Sequence, residues 1–253
     1  MWKGLGIGLV VGLASLGLIG GASQQNSKDL QRFQAEIGDA TPIKIGVLTR
    51  KQRSHSKLYN GYGKHLPGES ISDLIVAYRG KKIVLETNVY GRMFWPSEQP
   101  DIPEDYFAQL AQESDAVVRG RAVRKTSQIT EDDSFLFTDY DLVVLEVFKN
   151  NATAPIDIGG AITVTCLGGK IIADDVILKA GGNGVALLPV NAQDVLLFLK
   201  HIPETQAYML ARYDGGFELT GISARPFAGL FHFDSDFFKD ENSFLKTIKE
   251  VSK

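Results

Sequence analysis

Between residues 115 and 222 the chain is a succession of short apolar runs, separated by turn residues at near-regular spacing and with little room for helix between them. That pattern restricts the main body to a sandwich or a small barrel. Residues 116–123 open the series. Residues 135–148 follow the acidic turn Glu131-Asp132-Asp133, and their centre, Leu142 to Leu145, is apolar on both sides, which predicts a central strand covered on both faces. After a loop at 150–160 comes a third strand at 161–167. Gly168 and Gly169 turn the chain into Ile171-Ile172 and Val176-Ile177-Leu178, read as a further short strand, and residues 181–184 read as a flexible tip. Val195 to Leu199 read as a buried strand. Residues 208–213 and 217–222, joined by Asp214-Gly215-Gly216, read as a closing β-hairpin, for which Asp-Gly is a strong signal.

The flanks differ. Residues 236–251 predict a C-terminal helix with Phe238, Phe244, Leu245 and Ile248 in one apolar stripe, capped from Asp234 to Asp236. Residues 101–114 predict a helix with Pro103 near its first turn, beside Glu104 and Asp105 at the positive end of its dipole. Residues 71–90 read as a β-hairpin, 71–78 and 83–90, turned by Arg79-Gly80-Lys81-Lys82. Residues 23–41 read as a spacer with a short amphipathic helix carrying Leu30, Phe33 and Ile37 and ended by Gly38.

Residues 2–21 carry a single charge, Lys3, and then an uninterrupted apolar and glycine-rich run. Two outcomes stay open. The Gly20-Gly21-Ala22 ending suits a cleaved signal peptide. The length of the run, with Gly4, Gly8 and Gly12 on one helical face, suits an uncleaved membrane anchor. Either way the folded body is expected outside the cytoplasm: secreted, periplasmic or membrane-anchored.

Some functions are disfavoured by composition. A net charge of -3 does not favour nucleic acid as a partner. The lone Cys166 makes no internal disulfide and no cysteine-rich zinc site; it sits in a strand-like alternation and reads as a small buried residue. From Lys44 to Lys64 the chain holds basic residues and no acidic ones, so Arg50, Lys51, Arg53 and Lys57 form a candidate binding loop for an anionic surface, lipid headgroups or a cell-wall polymer. The tip at 181–184 is a second candidate contact.

Signatures of chemistry are missing from the sequence. It holds no Gly-x-Ser-x-Gly elbow, phosphate loop or His-Glu-x-x-His helix, and Asp234, Asp236, Asp240 and Glu241 lack the geometry of a calcium loop. Of the four histidines, His55 and His65 fall in the basic loop, His201 ends a strand, and His232 lies beside Asp234. No catalytic residue, metal ligand or cofactor is assigned.

Ser114-Asp115-Ala116-Val117-Val118-Arg119-Gly120-Arg121-Ala122-Val123, then Tyr140 to Lys149 ending Val147-Phe148-Lys149, then Ile162-Thr163-Val164 and Asp194 to Leu199, resemble the netrin-like domain. That is the OB-type barrel shared with the tissue inhibitors of metalloproteinases and similar to uncharacterised exported bacterial proteins. The resemblance covers about residues 105–222, with Asp194-Val195 standing where the pattern has a Tyr. It implies a mainly β fold: a small OB-like barrel (104–235) behind an extension with basic loop and β-hairpin (42–103), flanked by short helices and followed by a C-terminal helix (236–253). Inhibition in that family depends on an N-terminal cysteine that chelates zinc, which this chain lacks, so the inhibitory chemistry does not carry over. The sequence thus points to a non-enzymatic envelope protein that binds a protein or polymer. The alternative is an extracytoplasmic hydrolase assembled from scattered residues such as His201, His232 and Asp234.

Overall fold

The computed structural model describes residues 27–60, 70–88, 102–181, 188–227 and 235–253. The segment 2–21, the tip at 182–184, His65, His232 and Asp234 lie outside the described residues. Among those described, no helix is long and apolar enough to cross a membrane. The fold is mainly β, with two sheets and flanking helices.

The larger sheet is built on a long antiparallel pair, β3 (Ala116–Ile129) and β4 (Leu136–Lys149). Three register shifts interrupt the pairing, two with the extra residue on β4 (Phe148 and Leu145) and one with it on β3 (Val123). At one of these, Gly120 approaches β4 so closely that a Cβ there would lie 2.8 Å from Leu142 Cδ2 and from the Val143 carbonyl oxygen. β5 (Ala161–Leu167) pairs with β4, and β8 (Asp194–Ile202) with β3. The free edge of β8 serves two partners. Its first half pairs with β10 (Gly216–Leu219), its second half with β9 (Ala207–Leu210), and β9 also runs parallel to β5. β11 (Ala224–Pro226) pairs with β10.

Alternation along these strands divides their side chains between two cores. Val118, Ala122, Tyr140, Leu142, Val164 and Leu197 share one. In the other, Leu196, Phe198 and Phe217 meet Tyr106, Phe107 and Leu110 of α4 (Pro103–Glu113) and Phe244 and Ile248 of α5 (Glu241–Val251). Each such large side chain contributes about 1.5–3 kcal/mol by leaving water. β8 is therefore the strand covered on both faces. In β4, expected to play that part, Leu145 is 41% exposed.

The smaller sheet has the order β1 (Thr41–Pro42), β6 (Gly169–Ala173), β7 (Val176–Gly181), β2 (Ile83–Asn88). β6 and β7 form a tight hairpin through Asp174 and Asp175, both at positive φ (50° and 63°), the backbone of a two-residue primed turn. One face packs under Ile71 and Ile75, the other under Phe33 from α1 (27–36). The expected spacer is thus packed on this sheet, and Lys170 of β6 binds both Glu36 and Asp39 beyond it.

Four more expectations are corrected. Residues 71–77 are not a strand but α3 (Ile71–Ala77), because Ser70 and Asp73 make a capping box and Ile71 and Ile75 stand one turn apart. The strand after it, β2, pairs in parallel with β7 rather than folding back on its neighbour. Residues 50–58 of the basic stretch are not loop but helix: α2 (Arg50–Leu58) starts from a second capping box, Thr49 with Gln52. Asp214-Gly215 does not turn a hairpin, since β9 and β10 both pair with β8; Asp214 is buried, in an ion pair with Arg212 at 3.2 Å. The C-terminal helix is capped by Asp240, whose Oδ1 accepts from the Asn242 N–H at 3.0 Å, rather than from 234–236.

Candidate functional site

The four basic residues singled out in the sequence lie together on α2. Thr49 starts the helix by accepting from the Gln52 N–H, while the Gln52 side chain accepts from the Thr49 N–H at 2.9 Å. From that start Arg50, Arg53 and Lys57 stand at i, i+3 and i+7, on one exposed stripe. They form no ion pair with another described residue. Lys51 is turned aside, and its Nζ donates to Thr163 Oγ1 of β5 at 2.7 Å. The helix contains no acidic residue, and Arg50 and Lys51 occupy its first turn, where the dipole disfavours cations. Among the described residues the charge of Arg50, Arg53 and Lys57 has no ionic counterpart.

The opposite face of α2 is polar and buried. His55 is fully enclosed. Its Nδ1 lies 2.7 Å from Asp139 Oδ1 on β4, and its Nε2 lies 2.8 Å from Thr205 Oγ1 in the turn between β8 and β9. The tautomer that donates from Nδ1 to Asp139 leaves Nε2 to accept from the Thr205 hydroxyl. Ser56 Oγ accepts from the Glu131 N–H. Tyr59, the helix C-cap, donates to the Thr165 carbonyl at 3.0 Å and stacks on Phe137. Phe137, Asp139, Thr163 and Thr165 alternate with Tyr140, Val164 and Cys166, so α2 sits on the face of β4 and β5 opposite the apolar core.

Hydroxyl, imidazole and carboxylate in line have the order of a nucleophile, base and orienting group. A cavity of about 470 Å³ opens beside the helix, with Ile43, Leu48, Arg53 and Thr130 in its wall, but His55 and Thr205 do not line it. His201, the other described histidine, sits with its ring against Tyr208, while its main-chain N–H donates to Asp115. Burial pushes the Cys166 thiol up to about 12, with the Asp139 charge adding to the effect, so this cysteine is held as the unreactive thiol. Among the described residues no group of three His, Cys, Asp or Glu side chains could hold a metal ion.

His55, Asp139 and Thr205 were not found together by sequence reading. They stand 84 and 150 positions apart, and no local pattern marks such a cluster. The Thr49–Gln52 capping box was the available signal that the basic stretch is helical.

No protein-family model matches the chain, and no curated protein matches it.

Proposed function

We propose that this is an exported, non-enzymatic binding protein of the cell envelope, which contacts an anionic surface through the outer stripe of α2. The observation that carries the reading is the set Arg50, Arg53 and Lys57, exposed on one helical face without ionic partners among the described residues. The apolar segment 2–21 supports export, and its retention would hold the basic helix near a bilayer. Each cation close to an anionic membrane contributes about 1 kcal/mol, so three give useful affinity without any pocket.

The larger sheet is read as an OB-type barrel, in keeping with the netrin-like resemblance. What supports this is the ring of pairings β3–β4–β5–β9–β8–β3, with β9 parallel to β5. This strand order and these directions support the barrel reading.

Cosedimentation of the full chain with anionic and with neutral vesicles tests the reading. Binding to anionic vesicles that falls as salt rises supports it. Equal binding to both, or none, contradicts it. Sequencing the N-terminus of the protein from its native envelope tests the export half.

A second reading, a hydrolase, is favoured by the Thr205–His55–Asp139 line. It requires turnover of an activated ester that Thr205→Val and His55→Ala abolish and Thr205→Ser retains. Turnover indifferent to these changes removes it.

A further inference from the structure

α2 is attached to the molecule unlike the other helices. α3 buries Ile71 and Ile75, α4 buries Tyr106, Phe107 and Leu110, and α5 buries Phe244 and Ile248. Within its own span α2 buries His55 and Ser56, and none of its aliphatic side chains enters an apolar cluster of the described residues. Its hold on the sheet is mainly polar: His55 to Asp139 and Thr205, Ser56 to the Glu131 N–H, Tyr59 to the Thr165 carbonyl, and Lys51 to Thr163, beside one aromatic contact, the stacking of its C-cap Tyr59 on Phe137. Polar contacts of this kind exchange with water at little net loss, whereas apolar burial does not. The cations in its first turn weaken the helix further. Segments with few buried apolar contacts open first.

We propose that α2 is a detachable cover: it lifts from the face of β4 and β5 as a unit while both sheets stay folded, and an anionic bilayer holds it in the lifted state. The second half rests on the function proposed above. The cause is a difference in charge environment. Docked, α2 lies against the Asp139 carboxylate through His55 and against the 130–133 turn, whose Glu131 N–H donates to Ser56. Lifted, it carries four cations and no acid, with Leu58 and Tyr59 free to meet the headgroup boundary. A surface that binds the lifted form better shifts the equilibrium toward it by that difference and no more. Lifting uncovers Phe137, Asp139, Thr163 and Thr165. The last of these carries a buried hydroxyl that hydrogen-bonds to no described group while the cover is down.

Native-state hydrogen exchange read by mass spectrometry, on the full chain without vesicles, tests the cover itself. The α2 amides of wild type are expected to exchange at least tenfold faster than those of β8. Thr205→Val, which keeps the side-chain shape but removes the hydroxyl from His55 Nε2, is expected to speed α2 a further tenfold or so, with α2 still exchanging at least tenfold faster than β8; Tyr59→Phe is expected to act in the same direction. Exchange of α2 only together with β8, in wild type and in both variants, overturns the cover. Vesicle cosedimentation tests the second half separately: both variants are expected to bind anionic vesicles several-fold more tightly than wild type. If α2 opens but neither variant tightens binding, the bilayer is not what holds it open and that half falls. If wild type also fails to bind, the proposed function falls with it, while the cover stands.

Discussion

The His55 imidazole lies 2.7 Å from the Asp139 carboxylate, although one comes from a helix of nine residues and the other from the middle of the long strand β4. His55 is fully buried, and the Asp139 side chain is 13% exposed. Asp139→Asn and His55→Ala are each expected to lower stability in urea by about 1–3 kcal/mol, by leaving a buried polar group without its partner. Equilibrium unfolding followed by circular dichroism reads this. If neither change moves the midpoint, the pair does not help hold the helix.

A second relationship ties strand pairing to pH. Asp194 opens β8 and accepts four hydrogen bonds, from Arg119 at 3.0 and 2.7 Å and from Arg121 at 2.9 and 2.6 Å. Burial alone would raise its pKa, but the hydrogen bonds and charges of the two guanidinium groups prevail and hold it below the usual carboxylate range. A depressed native pKa means that the contribution is complete above the unfolded value and is lost as pH falls through the native one. Asp194→Asn is therefore expected to cost about 1–3 kcal/mol at neutral pH and to flatten the loss of stability below about pH 4. An unchanged acid limb in the variant would contradict the assignment.

Phe107 of α4 touches Phe198, Phe217, Phe237 and Phe244 and is fully buried. It joins both C-terminal helical segments to β8 and β10. Phe107→Ala is expected to cost about 3–5 kcal/mol, the range for losing a buried aromatic and leaving its cavity. Thermal unfolding checks it, and a loss under 1 kcal/mol would mean that the terminal helix is not part of the main core.

Cys166 faces the core of the larger sheet. With its thiol raised to about 12, it is expected to resist iodoacetamide at pH 8 in the folded protein and to react fully in denaturant. Rapid modification of the native protein would contradict its placement on β5.

The elements legible in the sequence were those whose periodicity admits one reading. β8, with Val195 to Leu199 apolar without interruption, and α4, with Pro103 before two acids, fall where the residues place them. Residues 71–77 did not, because a short apolar run suits helix or strand, and the Ser70–Asp73 capping box decides it. The pairing of β2 with β7, and of β9 and β10 with β8, is set by neighbours far along the chain, which turn signals such as Asp214-Gly215 do not report. Of the site, the outward cations were legible as composition. The inward His55, Asp139 and Thr205 were not, because a polar contact between distant segments leaves no periodic trace.

The central claim is that the outer stripe of α2 is the binding surface. Its most direct test is the affinity of the full chain for anionic vesicles, wild type against the triple charge reversal Arg50→Glu, Arg53→Glu, Lys57→Glu. Removing three contributions of about 1 kcal/mol each weakens binding by roughly a hundredfold. That loss, with an unchanged far-ultraviolet spectrum, is the predicted result. Affinity within twofold of wild type in a folded triple variant would contradict it.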